Sequence, residues 1–148
     1  MTIVEKAVAA VIRSVDGRPE LLAFTHPKAG VQIPKGTIEP GESVGAATLR
    51  ELEEESGLVL SDAMRRIGSW ERTPPSRPDE IQHWHVSLLE APAGLPERWE
   101  HSATGSPAED GLIFAYHWLP VDADLPNRLH PLFGPVCHML LEALRDAD

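Results

Sequence analysis

Three glutamates late in one short segment could do chemistry together. From Ser43 to Ser56 the chain is rich in strong helix formers, with Ser43 suited to cap the start and Gly57 to end it. On a helix, Glu54 falls about 60° to one side of Glu51 and Glu55 about 40° to the other, so the three carboxylates share an arc of about 100°. Glu51 and Glu55 repel each other at four-residue spacing, and Glu53 adds to the charge. Such a row needs open solvent or a cation. Hard carboxylate oxygens select Mg²⁺ or Mn²⁺ over zinc, and Mg²⁺ keeps waters and recruits phosphates. Arg50 stands four residues before Glu54, within ion-pair reach. The loop before the helix, Lys35-Gly36-Thr37-Ile38-Glu39-Pro40-Gly41-Glu42, can bring backbone close to a phosphate, and Lys35 adds a positive charge.

A Glu-rich helix alone is usually a solvated face. The full spacing argues otherwise. Gly36, Glu42, Arg50, Glu51, Glu54, Glu55 and Gly57, with aliphatic Leu52 and Leu58, fill every fixed position of one pattern. Chance would produce it on the order of once in ten million chains of this length or less. The pattern resembles the signature box of the Nudix hydrolases, and the match from Gly36 to Leu58 is complete. The resemblance implies an α/β fold, a mixed β-sheet sandwiched between helices. It implies a metal-dependent pyrophosphohydrolase acting on a nucleoside diphosphate linked to another moiety, with Mg²⁺ or Mn²⁺. Carried over residue by residue, Glu51, Glu54 and Glu55 hold metal, with the backbone carbonyl of Lys35 as a further ligand. Arg50 orients a neighbouring carboxylate, and Glu42 supports the site. Lys35 and Gly36 lie where substrate phosphates approach. Glu51 or Glu54 takes a proton from water, and the hydroxide attacks phosphorus.

Some family members use a carboxylate outside the box as the base. Here Glu97, Glu100, Glu109 and Asp110 are the candidates, and Glu109 is favoured because it precedes an apolar strand. Substrate choice is less marked. Pro74 stands near a position where ADP-ribose-cleaving members often carry proline, and Pro34-Lys35-Gly36 resembles the box entry of members that cleave dinucleoside polyphosphates. The tyrosine that the latter tend to carry soon after the box is missing, since Tyr116 is the one tyrosine. Trp84, between His83 and His85, is expected to pack more readily than to stack on a base. Cys137 reads as a buried apolar residue rather than a nucleophile.

The elements that must position this segment are short. The chain has 148 residues, the length of one domain spanning 1–148, with ordinary apolar and charged fractions. Its net charge of −10 argues against general nucleic-acid binding, although a cation can still join an acidic protein to a phosphorylated small molecule. One cysteine excludes an intramolecular disulfide, and no apolar stretch suits a membrane span, so a cytoplasmic location is expected. Glu5–Val15 and Glu20–Thr25 read as a hairpin across Asp16-Gly17. Ile67–Arg72, Glu80–Leu89 and Leu112–Leu119 read as strands, the last one buried. Pro92–Asp110 reads as a long loop and Leu129–Arg145 as a packing helix with an awkward Pro135. The expected partner is a small nucleotide substrate, and the resemblance adds that homodimers are common. The alternative function is a Nudix-fold nucleotide-binding or regulatory module without catalysis, but such modules generally show eroded box carboxylates.

Overall fold

The computed structural model describes residues 1–61 and 63–146. In chain order these are β1 (Thr2–Val15), β2 (Arg18–His26), β3 (Gly30–Gln32), β4 (Lys35–Thr37), α1 (Val44–Ser56), β5 (Met64–Arg72), β6 (Glu80–Glu90), β7 (Trp99–Ser102), β8 (Ile113–Pro120), α2 (Leu125–Arg128), a 3₁₀ turn (Pro131–Phe133) and α3 (Gly134–Asp146). The strands form one mixed sheet in the order β5-β6-β1-β2-β8-β7, with β3 added to β2 and β4 to β1. β1 and β6 run parallel and every other pair is antiparallel. Among the described residues no helix is long and apolar enough to cross a membrane.

The uninterrupted apolar run Ala7–Ile12 explains the layering. It is buried along its whole length, as a strand covered on both faces must be. Val8, Ala10 and Ile12 point into one core with Trp84, Phe133, Val136 and Leu140, roofed by α2 and α3. Ala9 and Val11 point the other way, into a core with Phe24, Phe114, Tyr116 and the α1 residue Leu52. The result is a helix–sheet–helix sandwich.

The β1–β2 hairpin turns through Asp16 and Gly17, both at positive φ (53° and 77°), which suits the twist of a two-residue hairpin loop. The two strands pair from Ile12 to Val15 and then part. Their inner edges are taken up by β4, which pairs with Lys6–Val8, and β3, which pairs with Phe24–His26. This split end of the sheet receives the box loop and α1.

Two sequence expectations need correction. Pro92–Asp110 is not strand-free: β7 pairs with β8, anchored where Trp99 stacks on Tyr116 (5.1 Å between ring centroids) and donates its Nε1–H to the Ser56 carbonyl (3.1 Å). No periodicity announced it, because this contact comes from distant residues. The final helix begins at Gly134 rather than Leu129. The chain breaks into a separate 3₁₀ turn, whose first N–H is capped by His130 Nδ1, so Pro135 falls in the first helical turn, where its missing N–H costs nothing.

Candidate active site

Local signals place α1 as its composition suggests. Ser43 Oγ accepts the Ala46 N–H (3.1 Å), and Gly57 closes the helix at φ 79°, donating its N–H to the Glu53 carbonyl (2.8 Å). Leu52 is buried against the sheet, Leu49 packs beside it, and Glu53 faces solvent.

Arg50 organises the acidic row. Its Nε and Nη2 donate to the two oxygens of Glu42 (2.7 and 2.9 Å), a bidentate pair, and Nη2 also donates to the Thr37 carbonyl (2.9 Å). Its Nη1 donates to Glu51 Oε1 (2.8 Å) and lies 3.3 Å from Glu54 Oε2. One guanidinium thus joins the box loop to two helix carboxylates. The hydrogen bonds from Arg50, and then the Glu39 backbone N–H, pull the Glu42 carboxyl down to about 2. Burial pushes Glu51 up, against the pull of Arg50.

Gly36 makes room for this arrangement. A Cβ there would lie 1.9 Å from the Glu51 carboxyl carbon. Gly105 does the same for Glu54, since a Cβ would lie 2.2 Å from Glu54 Oε2; its φ of 87° also favours glycine. The loop carrying Gly105 is tied to α1 by Thr104, whose N–H donates to the Glu54 carbonyl (3.1 Å).

Glu55 turns inward. It is 4% exposed, and its Oε1 accepts the Lys35 backbone N–H (3.2 Å). Burial, and next the charge of Glu109, raise its pKa well above the ordinary carboxylate value. The structure therefore brings Glu109 beside Glu55. His26 Nε2 lies 3.6 Å from Glu109, while His26 Nδ1 accepts the Lys28 N–H (3.0 Å). The Tyr116 hydroxyl is buried beside the same two carboxylates, which push its pKa further up after burial, and no described residue hydrogen-bonds it.

The other candidates lie elsewhere. Glu97 is exposed and paired with Arg13, whose guanidinium covers Trp118 (4.2 Å). Glu100 and Asp110 are exposed. Trp84 is buried in the α3-side core, with Nε1 donating to Gln82 Oε1 (3.0 Å). His83 and His85 both meet Glu5 (3.0 and 2.6 Å). Cys137 is buried and its thiol is pushed up to about 11 by that burial. Lys6, His26, Gly105 and Tyr116 were missed by sequence reasoning. None lies in the box: strand pairing brings Lys6, His26 and Tyr116 to it, and the Thr104–Glu54 backbone bond brings Gly105.

The even arc of three carboxylates is not what the fold produces. Among the described residues no three acidic, His or Cys side chains stand together as a ready metal cage. Glu51 and Glu54 lean to Arg50 and Glu55 lies behind them. The donor set nonetheless fits a hard divalent cation. It is all oxygen, and the desolvated Glu55 is repelled by Glu109 and Glu51 beside the orphaned Tyr116 hydroxyl.

The model of the NUDIX domain matches residues 4–136. Over 39 residues the chain is 41% identical to Nudix hydrolase 25 of Arabidopsis thaliana, a stretch covering 26% of this chain and 22% of that relative. Among solved structures, a MutT NUDIX hydrolase from Burkholderia pseudomallei superimposes with a TM-score of 0.59 and 25% identity, over 82% of this chain and 86% of that one. An Ap4A hydrolase from C. elegans shares the fold along 97% of this chain and 99% of its own, with a TM-score of 0.64 and 17% identity.

Proposed function

The chain belongs to the Nudix family, and on that premise we propose that it is a metal-dependent pyrophosphohydrolase. Its substrate is a nucleoside diphosphate linked to a further group: a nucleoside triphosphate, a dinucleoside polyphosphate or a nucleotide sugar. One observation carries this reading. Arg50 gathers Glu42, Glu51 and Glu54 at the split end of the sheet, with the desolvated Glu55 directly behind. The names of the similar structures, an Ap4A hydrolase and a MutT NUDIX hydrolase, support the same class of reaction. No box carboxylate is eroded, which speaks against a purely binding or regulatory module.

Glu51, Glu54 and Glu55, with the Lys35 carbonyl, would hold Mg²⁺ or Mn²⁺. Such a cation, when bound, neutralises charge on phosphate oxygens and makes water a stronger acid. Arg50 holds Glu51 by Oε1 and leaves Oε2 without a hydrogen bond among the described residues, so Oε2 is the place for a proton taken from water. The water oxygen then bonds to phosphorus, and the bridging oxygen departs with the leaving phosphate. Glu109 is a further carboxylate beside Glu55, with His26 Nε2 3.6 Å from it. Lys35 supplies positive charge toward the phosphates, and Gly36 lets Glu51 approach.

The test is turnover of nucleoside triphosphates, dinucleoside polyphosphates and nucleotide sugars with Mg²⁺ and with Mn²⁺, read as released phosphate or mononucleotide. Cleavage that needs the ion and vanishes in Glu54→Gln is the expected result. An inert wild-type chain, or full turnover by the variant, refutes the reading.

A further inference from the structure

Lys6 plays no part in the reading above, and the box pattern says nothing about it. It sits on β1 opposite Thr37 of β4, two residues from Val8, which faces Lys35. Paired residues share a face and so do residues two apart on a strand, so Lys6, Thr37, Val8 and Lys35 all lie on the α3 side of the sheet. Gly36, between them, faces the carboxylates of α1 instead. The Lys6 ammonium donates to Thr37 Oγ1 (2.8 Å), and that of Lys35 lies 5.5 Å above the Trp84 ring. Trp84 is buried, so it is a floor and not a platform for a base. Two cations therefore stand side by side at the end of the box loop. Among the described residues neither has a carboxylate in ion-pair contact, since Glu51, Glu54 and Glu42 all go to Arg50.

Leaving two lysines half-buried and unpaired is unfavourable unless an anion joins them. Burial and then the charge of Lys35 lower the Lys6 pKa, while Glu80 and Glu51 oppose that. The proximity of Glu51 links the lysine pair to the acidic row across the thickness of β4.

We propose that Lys6 and Lys35 form a second phosphate subsite, across β4 from the carboxylate row, that selects substrates with three or more phosphates. The inference rests on the hydrolase reading and names its substrate class. A diphosphate diester carries about two negative charges, which one divalent cation balances. A nucleoside triphosphate or a dinucleoside tetraphosphate carries about four, and two ammonium groups match the remainder.

The experiment uses the full chain and three substrates with Mg²⁺: ATP, diadenosine tetraphosphate and ADP-ribose. The expected result is a wild-type preference for the first two. Lys6→Met then raises KM for them about tenfold or more while shifting ADP-ribose less than about twofold. Lys6→Arg retains the preference, and Arg145→Gln, exposed at the far end of α3, changes nothing. A wild-type preference for ADP-ribose, or equal losses on all three, overturns the subsite and leaves the hydrolase reading standing. If the wild type cleaves none of them, nor any other member of the three substrate classes with either ion, that reading falls instead. Calorimetric binding of inorganic tripolyphosphate to the metal-free chain still decides the subsite: binding that weakens in Lys6→Met but not in Lys6→Arg supports it, and unchanged binding rejects it. Thermal melting of each variant shows that the folded chain is being measured.

Discussion

Two helices of thirteen residues each cover the two faces of one sheet, α1 on one side and α3 on the other. They do the same architectural job with opposite contents. The α3 side buries Val136, Cys137 and Leu140 against Trp84 and Phe133, and its charged neighbours Lys6 and Lys35 stay half-buried at its edge. The α1 side buries Ala47 and Leu52 but also Thr48, Ser56 and Glu55. The two hydroxyls are satisfied by their own helix, Thr48 donating to the Val44 carbonyl (2.7 Å) and Ser56 to the Leu52 carbonyl (2.5 Å). Glu55 has one backbone N–H and two repelling carboxylates. The α3 face is covered by apolar packing, while the α1 face combines its own apolar core with a buried charge that a core would ordinarily reject.

The comparison breaks most sharply at Glu55. Glu55→Gln should cut kcat/KM on the order of 10³-fold, while the metal-free variant at neutral pH melts no lower than wild type. A variant that loses activity only because it unfolds would contradict the division between the faces. The converse is Leu140→Ala. Truncating this fully buried side chain should cost about 2–5 kcal/mol in denaturant unfolding, with kcat/KM of the folded fraction nearly unchanged.

Gly36→Ala sharpens the contrast on the active face. The new Cβ displaces the end of a flexible Glu51 side chain rather than backbone, so the fold should survive while turnover falls about a hundredfold. Melting temperature and steady-state kinetics measured together would show it, and wild-type turnover would mean that the Glu51 position is not critical.

The smallest effect concerns pH. The Glu55 pKa is raised by folding, so the native state holds that proton longer than the unfolded chain does. Its contribution favours folding at low pH and is lost as pH rises from about 4.5 toward the folded value. Glu42, held down to about 2 by Arg50, has the opposite sign: its stabilisation is present above the ordinary carboxylate range and is lost as pH falls toward 2. Metal-free Glu55→Gln should therefore lose less stability than wild type between pH 4.5 and neutrality. Parallel pH–stability curves for the two proteins would count against a desolvated Glu55.

The legible features were those carried by neighbours in the chain. The Ser43 cap, the Gly57 stop and the Arg50–Glu54 pair follow from spacing on one helix. Ala7–Ile12 announced a strand by its composition. Strand β7 was illegible because Trp99 is held by Ser56 and Tyr116, far away in sequence. The last helix starts at Gly134 and not at Leu129 because a run of apolar residues does not show where a 3₁₀ turn interrupts it.

By itself the sequence determined the acidic row, the capped helix that carries it and the mixed character of the sheet, since periodicity and capping act over a few residues. Only the tertiary structure decided that Glu55 is the desolvated member of the row, that Glu109, His26 and Tyr116 stand beside it, and that Lys6 lies next to Lys35. Desolvation and charge coupling depend on what packs against a group. Here those neighbours arrive from strands and loops that are adjacent in space and distant along the chain.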